Sequence, residues 1–120
     1  ITEVPDDKHP FVVTEQLMPI LPIVRVKTIE EALARAKKAE HGFKHTATMW
    51  SDSLGNMSLV AKQIETTIFV KNAPSLAGVG YGGEGFTTMT IAGPTGEGLT
   101  SPRTFTRQRR CVLVDAFRII

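Results

Sequence analysis

A chain of 120 residues with 42% hydrophobic and 22% charged side chains suits one soluble domain. Its apolar runs are each broken by Pro or charge well short of the roughly 20 residues that cross a bilayer, and a net charge of +2 is too small to imply a polyanion partner. The single cysteine, Cys111, excludes an internal disulfide and a cysteine-rich metal site, which fits a reducing compartment.

The chain opens on Ile1, without the basic start or apolar core of a leader, which leads to the expectation of a piece of a longer protein. Residues 1–10 carry Asp6, Asp7, Lys8 and two prolines and read as an exposed lead-in. Phe11-Val12-Val13 is a short apolar run that ends at Thr14-Glu15-Gln16. Ile20 to Val26 then reads as a strand covered on both faces, with Pro19 and Pro22 confining its first half to an irregular or edge position.

Thr28-Ile29-Glu30-Glu31 matches a capping box, in which the Thr28 hydroxyl and the Glu31 carboxylate each satisfy a backbone N–H of the first turn. Ile29, Ala32, Leu33 and Ala36 follow on one helical face, and Gly42 is placed to stop the helix. A β-prone run from Thr46 to Trp50 comes next, led by His45. Ser51-Asp52-Ser53 offers caps for a second helix with Leu54, Met57, Ala61 and Ile64 on one side. Thr66 to Val70 is a third strand, β-branched and aromatic. Strand, helix, strand, helix, strand is the order of right-handed crossovers, so the fold class expected is α/β, a βαβαβ parallel sheet with flanking helices.

Eight of the ten glycines fall from Gly78 onward, a loop-rich region holding one β-like run, Phe86 to Ile91. Gly80-Tyr81-Gly82-Gly83-Glu84-Gly85 has the G-x-G-x-x-G spacing of a dinucleotide loop, but that loop needs a helix directly behind it and this run is strand-like. Gly93 to Thr100 has phosphate-loop spacing but puts Leu99 where the lysine belongs, and is discarded. Cys111-Val112-Leu113-Val114 reads as a terminal strand with a buried structural thiol, of a kind that pairs with a neighbour's sheet. Arg103, Arg107, Arg109, Arg110 and Arg118 crowd this end, yet no interleaved aromatics support nucleic-acid binding. His9, His41 and His45 do not combine with carboxylates at a metal-ligand spacing, so no metal is expected.

A titratable side chain where a buried strand begins can face a cleft while packing holds the strand behind it, which makes His45 the lead site residue. An isolated histidine is also commonly structural, and composition and spacing leave both readings open. A stand-alone binding or regulatory domain using its arginine-rich end is the rival class.

Five segments carry a resemblance: His9-Pro10-Phe11-Val12, Glu15-Gln16-Leu17-Met18-Pro19, His45-Thr46-Ala47, Ile68 to Pro74, and Thr104 to Cys111. Together they resemble the C-terminal portion of coenzyme-A-acylating aldehyde dehydrogenases, and most nearly the propionaldehyde and acetaldehyde enzymes of bacterial microcompartments. The resemblance implies a short-chain aldehyde, NAD and coenzyme A as reactants. It implies a cysteine nucleophile that these residues do not contain, with Cys111 outside that motif. By motif, Glu15 would reach the nicotinamide ribose, although Glu-Gln-Leu-Met-Pro departs from the Glu-x-Phe-Gly-Pro of hydrolytic relatives. His45 would deprotonate the incoming thiol or orient the thioester, and Asn72, Ala73, Pro74 and Ser75 would lie near the acyl pocket. Residues 1–102 would be the later part of the catalytic domain and 103–120 an oligomerisation strand. A homo-oligomer with no nucleic-acid or membrane partner is implied, in the cytoplasm or a microcompartment lumen.

Overall fold

The computed structural model describes residues 1–88, 100–112 and 114. The capping signals are the best-realised part of the pattern. Helix α2 spans Ile29–Ala39, and the Thr28 hydroxyl accepts the Glu31 N–H at 3.2 Å. The reciprocal half of the box is displaced by one residue, because Glu31 Oε2 accepts from Lys27 N at 3.1 Å rather than from Thr28. That bond is the first cause holding Glu31 below the ordinary carboxylate range, with Arg35 at 2.7 Å adding to it. Helix α3, Leu54–Ile64, begins the same way, Ser53 Oγ accepting from Asn56 N at 3.2 Å. Its inward face is Met57 and Ile64, whereas Leu54 in the first turn is 76% exposed.

Strands β3, Thr46–Met49, and β4, Ile68–Lys71, flank α3 and pair in parallel with Thr46 opposite Ile68. This is one βαβ unit. Ile68 and Val70 alternate inward from β4 and pack on Ala77 and Val79 of a 3-10 turn at Ser75–Val79, forming the core cluster. Gly78 is required there, since a Cβ would stand 2.3 Å from the Ile68 methyl.

Four expectations need correction. Among the described residues the single βαβαβ sheet is instead two separate two-stranded parallel sheets. The strand expected over Ile20–Val26 is reduced to β2, Pro22–Ile23, paired with β1, Thr2–Glu3. Prolines that cannot donate to a ladder shorten it, and its apolar side chains are not covered on both faces: Leu21 is 57% and neighbouring Leu17 89% exposed. Residues 1–10 are no free lead-in, for Val4 is buried and Asp7 bridges to Arg35 and Lys38 of α2 at 3.3 and 3.2 Å. Lastly, Cys111 is exposed rather than a buried thiol, and no strand is among the described residues from 107 to 114. The run expected at Phe86–Ile91 lies outside the described residues from Met89 on, as do most of Gly93–Thr100, Leu113 and Arg118.

The radius of gyration is 20.0 Å, against about 14 Å for a compact domain of this length. The core is correspondingly small, and no described side chain reaches full burial. No helix among the described residues is long and apolar enough to cross a membrane.

Candidate active site at the entry to β3

The helix-to-strand connection between α2 and β3 is held by several short hydrogen bonds. After the cap at Glu40, His41, Gly42 and Lys44 take φ of 58°, 84° and 49°. Left-handed backbone at a non-glycine residue costs of order 1 kcal/mol or more and persists only where surroundings over-determine it. Here the Glu40 carboxylate does so: Oε1 accepts Gly42 N and Oε2 accepts Lys44 N, each at 2.6 Å. Lys44 Nζ meets Glu65 Oε2 at 2.6 Å, a hydrogen bond that holds Glu65 below the usual carboxylate range and raises Lys44. The Lys44 carbonyl accepts Thr67 N at 2.9 Å and the His45 carbonyl accepts Ile68 N at 2.9 Å. His45 therefore enters β3 with its backbone pinned to β4.

Its half-buried ring is fixed by its neighbour, Nδ1 lying 2.6 Å from Thr46 Oγ1. Opposite stands a short helix, α1, Pro10–Val13, capped by His9 Nδ1 accepting from Phe11 N at 3.2 Å. Gln16 Nε2 donates to the Thr14 carbonyl at 2.8 Å and so ties down the exit from α1 around Glu15. A cavity of about 500 Å³ lies between the two connections, lined by Val12, Val13, Glu15, His41, Phe43 and His45 among others. The two residues singled out from sequence thus face one space. The Glu15 carboxylate makes no hydrogen bond or ion pair with described residues, and a carboxylate is an acceptor-only group.

Asn72 to Ser75 do not join this cavity. They follow β4, at the far end of the four-residue ladder from His45, roughly 13 Å of strand away. Asn72 has φ 53° and is engaged at that end: its Oδ1 accepts Ser51 N at 2.7 Å and its Nδ2 donates to Ser51 O at 3.0 Å. Pro74 and Ser75 open the 3-10 turn. A second cavity, about 600 Å³, lies between β4 and the glycine turn, lined by Thr67, Phe69, Glu84, Phe86, Thr100 and Thr104 among others. In that turn Gly80 and Gly85 approach backbone to backbone, a Cβ on Gly80 standing 2.7 Å from the Gly85 carbonyl, and no helix opens at 86–88. Gly80, Gly83 and Gly85 serve close packing. Glu40 and Thr46 were missed in the sequence, although a carboxylate two and four residues ahead of a Gly and a Lys N–H is a local capping geometry.

No family model matches the chain. Its relatives are nonetheless of one class, CoA-acylating aldehyde dehydrogenases, and the resemblance read from the five segments is shown. The chain is 62% identical to the acetaldehyde dehydrogenase (acetylating) EutE of Salmonella typhimurium over 112 residues, 93% of this chain and 24% of that protein. Among solved structures, the propionaldehyde dehydrogenase of Rhodopseudomonas palustris with bound CoA and an acylated cysteine superposes with a TM-score of 0.82 at 57% identity, covering 92% of this chain and 25% of that one. The propionaldehyde dehydrogenase from the fucose utilisation microcompartment of Clostridium phytofermentans gives 0.82 at 50% identity, covering 96% and 26%. The chain spans about a quarter of the length of the relatives it matches.

Proposed function

We propose that residues 1–102 are the later part of the catalytic domain of a CoA-acylating aldehyde dehydrogenase and that 103–120 carry a strand that pairs with another subunit of a homo-oligomer. The full protein converts a short-chain aldehyde, NAD and coenzyme A to acyl-CoA and NADH through a thioester on a cysteine outside these residues. NAD, when bound, supplies the hydride acceptor. The chain's own residues bind and move protons around it. Glu15 accepts hydrogen bonds from the nicotinamide ribose and His45 takes the proton of the coenzyme A thiol. Asn72, Ala73, Pro74 and Ser75 are assigned to the acyl pocket by motif, from the opposite end of the β3–β4 ladder. Cytoplasm or microcompartment lumen is the site of action.

The observation that carries this reading is the shared cavity of Glu15 and His45. Among the described residues its lining carries the carboxylates of Glu15 and Glu40 and the imidazoles of His41 and His45 but no cysteine, so it offers a base and hydrogen-bond acceptors without the thiol that a thioester needs. The purified 120 residues should therefore give no aldehyde-dependent NADH with coenzyme A present, whereas the full-length polypeptide should. Turnover by the chain alone would refute the placement of the nucleophile.

A further inference from the structure

Resting on the reading of Glu15 as the group that meets the nicotinamide ribose, we propose that Phe43 is the platform on which the nicotinamide ring of NAD packs. Phe43 lines the same cavity as Glu15, and its side chain is 73% exposed. Ring and ribose are joined by one glycosidic bond, so a group that holds the ribose fixes the neighbourhood in which the ring must sit. The oxidised ring is flat and positively charged, and the face of a phenyl ring attracts both features.

Phe43 is held by its backbone rather than by packing. Its own N–H donates to the Glu40 carbonyl at 3.2 Å, and the Glu40 carboxylate takes the N–H of the residue on either side, Gly42 and Lys44. Left-handed backbone at His41, Gly42 and Lys44 surrounds it, and strain of this kind clusters where side chains are presented to ligands. The neighbouring His41 ring lies 6.4 Å away between centroids and is tilted by 56°, so it does not stack over the Phe43 face. Val12 and Val13 of α1 add apolar lining and Glu15 a carboxylate, which matches a flat ring joined to a hydroxyl-bearing sugar. A cavity of about 500 Å³ also falls within the roughly 300–1,000 Å³ of small-molecule sites.

The test uses the full-length polypeptide carrying Phe43→Ala, Phe43→Leu, Phe43→Tyr or Glu15→Gln, each titrated by calorimetry, whose stoichiometry counts folded sites. The probes are NAD, coenzyme A, and ADP, which keeps the adenine and pyrophosphate but lacks the nicotinamide and its ribose. Stacking of a flat heterocycle on an aromatic side chain, as measured by alanine substitution, predicts roughly 5- to 100-fold weaker NAD binding in Phe43→Ala. ADP and coenzyme A should bind as they do to the parent, and Phe43→Tyr, which keeps the ring, should recover most of the NAD affinity. Leucine serves if the alanine variant does not fold. Parent-like NAD affinity in Phe43→Ala beside weakened NAD in Glu15→Gln would overturn the role of Phe43, whose ring would then be covered by the rest of the polypeptide. ADP weakened as much as NAD would overturn it too, by placing the adenine there, and so would a loss confined to coenzyme A. Unchanged NAD affinity in Glu15→Gln would instead defeat the ribose reading beneath it.

Discussion

Replacing Glu40 by alanine removes both acceptors that hold the α2–β3 connection. The structure places Gly42 N and Lys44 N each 2.6 Å from the two oxygens, and hydrogen bonds to a charged group contribute about 1.5–3 kcal/mol each. The Gly42 bond is exposed and belongs at or below the low end, while that to Lys44 is partly buried. The left-handed backbone at His41 and Lys44 then loses its restraint as well. A destabilisation of about 2–4 kcal/mol is expected for Glu40→Ala. For Glu40→Gln it should be about half, since one amide oxygen still accepts while the NH₂ faces an N–H. Urea unfolding followed by far-UV circular dichroism measures the difference, and amide exchange at Gly42 and Lys44 localises it. A Glu40→Ala change within about 0.5 kcal/mol, the range of ordinary surface substitutions, would refute the assigned role.

Acid should release the N-terminal segment from α2. The Lys38 hydrogen bond, foremost, and the Arg35 charge hold the Asp7 carboxyl below its ordinary value. A folded pKa below the unfolded one stabilises above the unfolded value, about 3.9, and that contribution is lost as pH falls through the folded value. Exchange protection of the Val4 amide, bonded to Ile23 O at 2.9 Å, should thus be intact at neutral pH and decline below about pH 4, with Asp7→Asn already weakened at neutrality. Deleting residues 103–120 from the full-length polypeptide should shift its sedimentation towards smaller species, and an unchanged oligomer would refute the strand assignment.

What could be read from sequence depends on the range of the forces involved. Helices α2 and α3 were legible because Thr28 and Ser53 act on N–H groups three residues away and the apolar period repeats within a few turns. Strands β3 and β4 were legible to within two residues for the same reason, being short β-branched runs bounded by caps and turns. The pairing of β2 was not, since composition says nothing of which edge a strand meets, and its partner Thr2–Glu3 sits in a stretch that reads as polar. Glu15 and His45 were named by motif, yet their meeting in one cavity depends on how α1 packs against the α2–β3 connection, a contact of long sequence separation. Cys111 shows the converse: an apolar run predicts burial only where a partner surface exists to bury it.

The role of His45 is tested most directly by stopped-flow NADH measurements on the full-length polypeptide carrying His45→Ala, shown to be folded by circular dichroism. General-base catalysis contributes roughly 10²–10⁴, and a neutral thiol is a poor nucleophile, so the loss should fall on transfer to coenzyme A and spare hydride transfer. The expected result is a full burst of NADH and then steady-state turnover slowed by roughly 10²–10⁴. A lost burst with acyl transfer unaffected would contradict it.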